Sequence, residues 1–349
     1  MHASKLSCVN AFFSAGLLAA CSNAHVTDSG LADVARGGLD PFDASGAAVR
    51  AAMDAEVSSM TRQAAMSNAA ANGVAADPYL AGHPVAARSI GHTSYVLKVR
   101  LDSGLAAAYK PRSRLPLGDR RYRGEIAAYR LGRALGLSNV PLAMPRAFAA
   151  AELRAAFGTK DGAEEFDRKA LVEPGGKVRG ALIPWIDRYE ELPLETRAER
   201  RRWEPWLTDP NAQIPAQDRP LACALSTMLA FDYVTGNWDR FSGGNVVRDG
   251  ATGTLLFVDN DGAFYESPPS LARQAELLAR VIRFSRSFVA RLRDLDATML
   301  RDVLGYEAPA EPLLPAQTID QVDARRRTVL RFVDAATARW GEPAALAFE

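Results

Sequence analysis

The stretch FDYVTGNWDRFSGGNVV at 231–247, followed by LLFVDNDGAFY at 255–265, limits the possible folds of this chain more than any other segment. An apolar helical pattern carried by Leu221, Leu225, Met228 and Leu229 stops at Thr235-Gly236-Asn237, where glycine and asparagine accept the dihedrals of a tight loop. Leu255, Leu256, Phe257 and Val258 then read as a short buried strand. Helix, polar loop and strand must therefore follow one another, with Asp239 on the loop, Asn245 just behind it and Asp259 where the strand ends. A carboxylate on such a loop is suited to accept the proton of an incoming hydroxyl. Asn245 and Asp259 offer a neutral and an anionic oxygen to a hard cation such as magnesium or manganese. Asp261 competes with Asp259 for that role, because Asp259-Asn260-Asp261-Gly262 is also a turn sequence with capping carboxylates. Asp232 is expected to brace the loop by accepting from backbone amides.

Upstream, Tyr95, Leu97, Val99 and Leu101 alternate with smaller or polar residues, and Asp102-Ser103-Gly104 supplies a turn before a second apolar run ending at Lys110. This predicts a hairpin that delivers Lys110 toward a phosphate as a point charge, with a loop at Gly91 whose backbone amides approach the same phosphate. Only six lysines occur, so one embedded in apolar sequence carries weight. In RRYRGEIAAYRLGRALGL, Ile126, Tyr129, Leu131 and Leu135 form a helical face that Gly136 ends. If this helix packs on the hairpin, Glu125 pairs with Lys110 and orients its ammonium. The segment VRGALIPWI at 178–186 contains Pro184 and predicts an edge strand leading into a connector between two lobes, apolar enough to receive an adenine ring. Residues 191–220 are polar and proline-punctuated, which predicts a surface insertion whose Trp203 and Trp206 pack on the lobe beneath. Helical patterns fill the chain beyond residue 270, with arginines interleaved with carboxylates, so no nucleic-acid surface is expected.

Composition sets outer limits. A chain of 349 residues with 48% hydrophobic content holds one large core or two modest ones, and a net charge of +1 argues against a global field for nucleic acid. Leu18-Ala19-Ala20-Cys21, after a short apolar run, resembles the lipobox of bacterial lipoprotein precursors, and Ser22 the outer-membrane sorting pattern. Residues 1–20 are thus expected to be a signal peptide, Cys21 a lipid anchor in the cell envelope, and 21–80 a tether with a possible helix over 47–72. A mature chain keeps Cys223 as its one free thiol, in an apolar helical pattern with no histidine beyond His92 to activate it. Cysteine-histidine and serine-histidine hydrolysis lose most of their support on that ground, with His83 and His92 alone formally available, and zinc is equally poorly served.

Taken in order, Tyr109-Lys110-Pro111, the helix at Glu125-Ile126-Ala127-Ala128-Tyr129, Ile183-Pro184-Trp185, Gly236-Asn237 with Asp239-Arg240, and Asp259-Asn260 resemble the motifs of the atypical secretory-pathway kinases typified by Four-jointed and the Golgi casein kinase. The resemblance spans roughly residues 89–265. It implies an α+β, bilobal protein-kinase-like fold, with a β-rich N-lobe carrying one regulatory helix over 81–186 and a mostly helical C-lobe over 187–349. It also implies ATP, Mg2+ or Mn2+, Asp239 as base and Asp259 as metal ligand. The acceptor would be a hydroxyl, protein serine or threonine foremost. Two departures stand out: the loop from Asp239 to Asn245 carries Gly243-Gly244 and is a residue longer, and the family's disulfides are missing. HipA-type and phosphoinositide-kinase-like enzymes share the lysine and loop logic, and a lipoprotein with a kinase-like shell but no catalysis is the alternative from a different class.

Overall fold

The computed structural model describes residues 77–91, 94–268, 270–308 and 311–349. The expected signal peptide, Cys21 and the helix over 47–72 lie outside the described residues, and no described helix is long and apolar enough to cross a membrane.

The first lobe grows from the hairpin. After a one-turn helix α1 (Pro78–Ala81), capped by Asp77, come β1 (Pro84–Ser89), β2 (Leu97–Leu101) and β3 (Ala106–Pro111). β2 and β3 pair antiparallel with Leu97 opposite Tyr109, and Leu97, Val99, Leu101 and Tyr109 are fully buried. The period-2 alternation read in the sequence is thus the inward face of a sheet. Helix α2 (Arg121–Ala134) follows, then β4 (Met144–Ala149), α3 (Ala150–Ala156), α4 (Lys160–Lys169) and β5 (Lys177–Pro184). The sheet order is β1-β2-β3-β5-β4, so β5 lies between two neighbours and is not the expected edge strand. Proline is tolerated there because Pro184 is the last residue of the strand. Tyr109 and Phe148 meet edge to face at 5.0 Å in the core beneath.

The second lobe comprises β6 (Tyr189–Glu191), α5 (Arg197–Thr208), α6 (Arg219–Thr235), β7 (Val246–Asp249), β8 (Leu255–Phe257), α7 (Leu271–Leu278), α8 (Arg286–Asp294), α9 (Ala297–Leu304), β9 (Tyr306–Ala308), β10 (Glu311–Pro312), α10 (Ala316–Trp340) and α11 (Glu342–Ala345). Its axis is α6, whose Leu225, Met228, Phe231 and Val234 are fully buried and whose C-terminus is closed by Gly236 in the left-handed region. The polar insertion contains the helix α5, with Trp203 donating to the Leu194 carbonyl at 2.9 Å and stacking on Phe241. Both tryptophans face inward, which explains how so polar a segment is held.

Helix α2 departs from expectation in an informative way. It touches β3 and β5 as the hairpin argument requires, but its Tyr122, Ile126, Leu131 and Leu135 merge into the apolar core of the second lobe, where α9 is its main helical neighbour. The helix is a shared wall between the lobes.

Candidate active site

Lys110 leaves the end of β3 buried, and three carboxylates reach its ammonium: Glu125 from α2 at 2.6 Å, Asp259 after β8 at 2.5 Å and Asp261 at 3.3 Å. Two glycines, Gly124 on α2 and Gly262 in the turn after Asp259, make this approach possible through missing side chains. A Cβ on Gly124 would sit 2.7 Å from the Asn260 carbonyl oxygen, and one on Gly262 would sit 2.8 Å from the Asp239 Cβ. Glycine at these positions lets α2 press on the Asp259 turn and lets that turn press on the Asp239 loop. The Asn260 amide then donates to the same Glu125 oxygen at 3.0 Å, fixing the glutamate from both sides.

Arg240 fastens the loop from behind. Fully buried, it grips Asp232 with Nε and Nη2, donates to the carbonyls of Asn245 (2.9 Å) and Val258 (2.5 Å), and reaches Asn260 Oδ1 at 2.6 Å. Asp232 therefore braces the loop through a guanidinium, whereas the sequence suggested backbone amides. Eight residues along the chain, an arginine satisfies more of its acceptors than scattered amides could.

The two rival acids separate clearly. Asp261 is 2% exposed and is also held by Arg121 at 3.0 Å, a residue the sequence reading passed over. The Asp259 side chain remains 38% exposed, at a backbone φ of 55°, and borders a cavity of about 390 Å³. Lys110, Glu125, Gly91 and Asn245 line the same cavity, with Val96, Ala108, Ile183, Trp185 and Val258 as apolar walls. Asn245 donates its Nδ2 to the Asp239 carbonyl (2.9 Å) and Ser242 Oγ (3.2 Å), which leaves Oδ1 without a hydrogen bond among the described residues. With Gly243-Gly244 in the loop, Asn245 and Asp259 still line one cavity. Asp239 lies at the edge of this cluster, half-buried against Gly262.

Electrostatics follow the geometry. Burial alone would lower the Lys110 pKa, but Asp259, Glu125 and Asp261 override it and hold the ammonium well above its ordinary value. Burial opposes ionisation of Asp259, and Lys110 overcomes it to hold that carboxyl below the usual range. Burial wins at Glu125, pushing it up against the pull of Lys110. Asp239 is raised first by burial, then by the charges of Asp259 and Asp261, against a hydrogen bond from Ser242 and the charge of Arg121.

Three carboxylates against Lys110 and Arg121 leave an excess of negative charge. Among the described residues no three His, Cys, Asp or Glu side chains are placed to hold a metal by themselves. The donor set of Asp259 and the free Asn245 oxygen suits a hard cation whose other ligands are phosphate and water, and the apolar walls above suit a purine.

A five-stranded lobe, a helical lobe, and a lysine, helix glutamate and strand-end aspartate meeting beside the cavity are the architecture of the kinase-like folds. No protein-family model matches the sequence, and no curated protein matches it. Solved structures do. The chain is similar to the Golgi casein kinase, with a TM-score of 0.58 at 16% identity over 77% of each chain. It is similar to hydra Fam20 solved with sugar, with a TM-score of 0.57 at 19% identity over 75% of this chain and 88% of that one. A Golgi casein kinase structure with Mn/ADP bound gives 0.56 at 15% identity over 76% and 75%. The protein has a Fam20-like, kinase-like fold.

Proposed function

We propose that this protein is an ATP-dependent phosphotransferase that moves the γ-phosphate to a hydroxyl, with serine or threonine of a protein as the acceptor. The observation that carries the reading is the meeting of Lys110, Glu125 and Asp259 at one cavity with apolar walls, with Asp239 packed against Gly262 and within reach of the charges of Asp259 and Asp261. Glu125 orients Lys110, whose ammonium binds the phosphates of the nucleotide. Asp259 and Asn245 hold Mg2+ or Mn2+, which neutralises charge on the transferring group when bound. Asp239 takes the proton of the attacking hydroxyl, and its raised pKa makes it a better base than an ordinary aspartate at neutral pH. Lipid attachment at Cys21 would place this chemistry in the cell envelope; loss of membrane fractionation in Cys21→Ser tests that part separately.

The reading is tested by incubating the purified protein with γ-labelled ATP, Mg2+ or Mn2+ and a hydroxyl-rich test protein. Label should enter the acceptor or the protein itself and disappear in Lys110→Met. Thermal stabilisation by nucleotide with no transfer under any metal would replace the kinase with a nucleotide-binding protein.

A further inference from the structure

The hairpin β9–β10 belongs by connectivity to the second lobe, between α9 and α10, yet its polar partners sit on α2 and on the first-lobe sheet. Glu307 is the centre of these contacts. Its side chain is 4% exposed, accepts from the Tyr122 hydroxyl at 2.9 Å and faces Arg179 of β5 at 3.7 Å. Arg130, more than a turn past Glu125 on α2, donates through Nη1 to the Tyr306 carbonyl and through Nη2 to the Glu307 carbonyl at 3.0 Å. Arg179 also pairs with Glu311 at 3.2 Å and with Glu173 at 3.3 Å, and Glu173 holds Arg112 at 2.6 Å. Arg112 lies two residues beyond Lys110.

The hairpin therefore grips α2 on both sides of Glu125 and connects, through Arg179 and Glu173, to the strand that carries Lys110. Resting on the kinase reading above, we propose that Glu307 and Tyr122 are positioning residues, which fix α2 to the second lobe so that Glu125 stays on Lys110 and Asp259. Neither touches the cavity. Their effect passes through α2, and the mixed packing of that helix gives it a path: an unanchored α2 is free to tilt on its apolar face and to withdraw Glu125. Small displacements of this kind are enough to cost roughly 10- to 100-fold in turnover.

The experiment combines steady-state kinetics with hydrogen exchange on the purified protein. Tyr122→Phe, which removes one oxygen and keeps the ring, and Glu307→Ala should each lower kcat about 10- to 100-fold with the KM for ATP altered less than about twofold. Glu307→Gln keeps an acceptor for Tyr122 and should restore most of the loss. In a Glu125→Ala background, Glu307→Ala should lower kcat no further, because both act on one contact. Exchange of the α2 amides should quicken in Tyr122→Phe while exchange in α6 stays unchanged. Additive losses, or α2 exchange identical to the unaltered protein, would overturn the proposal. If the unaltered protein transfers no phosphate, the kinase reading fails on its own and the exchange measurement alone decides whether the hairpin positions α2.

Discussion

Lys110 meets three carboxylates, and exposure distinguishes their tasks. Asp259 faces the cavity, whereas Asp261 is enclosed by Lys110, Arg121 and the protein interior. Asp259→Asn should weaken metal-dependent nucleotide binding by at least about tenfold, roughly 1.4 kcal/mol, measured by calorimetry. Asp261→Asn should instead cost roughly 3 kcal/mol of stability by stranding Arg121, seen in denaturant unfolding, with nucleotide affinity little changed. Asp239 adds a pH signature. In the proposed role of base Asp239 acts only as a carboxylate, and its pKa is raised by burial and by Asp259 and Asp261. Activity should therefore fall on the acid side at a pH above the ordinary aspartate value of about 3.9. Ser242→Ala, which removes a hydrogen bond favouring the carboxylate, should move that fall to still higher pH in the kcat/KM profile. A limb at or below the ordinary value contradicts the burial argument. The positions of Asp239 on a loop and of Lys110 and Asp259 at strand ends were legible because they follow from local pattern. The burial of Asp261 was not, since it depends on Arg121, an exposed-looking residue in an arginine run 140 positions away.

At the level of elements, the site depends on how closely three pieces of backbone approach. Gly124→Ala would drive a methyl group to 2.7 Å from the Asn260 carbonyl, so α2 must shift away from the Asp259 turn. The expected result is a loss of about 1–3 kcal/mol in stability together with a lower kcat, compared by thermal unfolding and initial rates. Arg240 joins α6, β7, β8 and Asn260 through one guanidinium, so Arg240→Ala, which leaves Asp232 buried and unpaired, should cost about 3–5 kcal/mol. The hairpin of β2 and β3, the helix α2 and the end of α6 were readable from alternation, spacing and glycine. The helix α5 was hidden by its charge: six of its twelve residues are Arg or Glu, and the two tryptophans that bury it stand among them. Polar, proline-punctuated composition points to a surface insertion without saying that its middle is a helix, which long-range packing of the tryptophans decides.

Across the whole molecule, two lobes with separate cores share α2, and the cavity opens where Lys110 of one meets Asp259 of the other. The lobes were foreseeable from the order of strand-like and helix-like segments. The central place of β5 and the reach of the β9–β10 hairpin were not, because strand order and cross-lobe contacts are set by pairings between residues far apart in the chain. The central claim is that this junction is built for transfer as well as for binding. Single-turnover transfer from γ-labelled ATP by Asp239→Asn, with Mn2+-ATP affinity measured on the same preparation, tests it most directly. The account predicts transfer slowed about 100- to 10,000-fold with affinity preserved; transfer at the unaltered rate would contradict it.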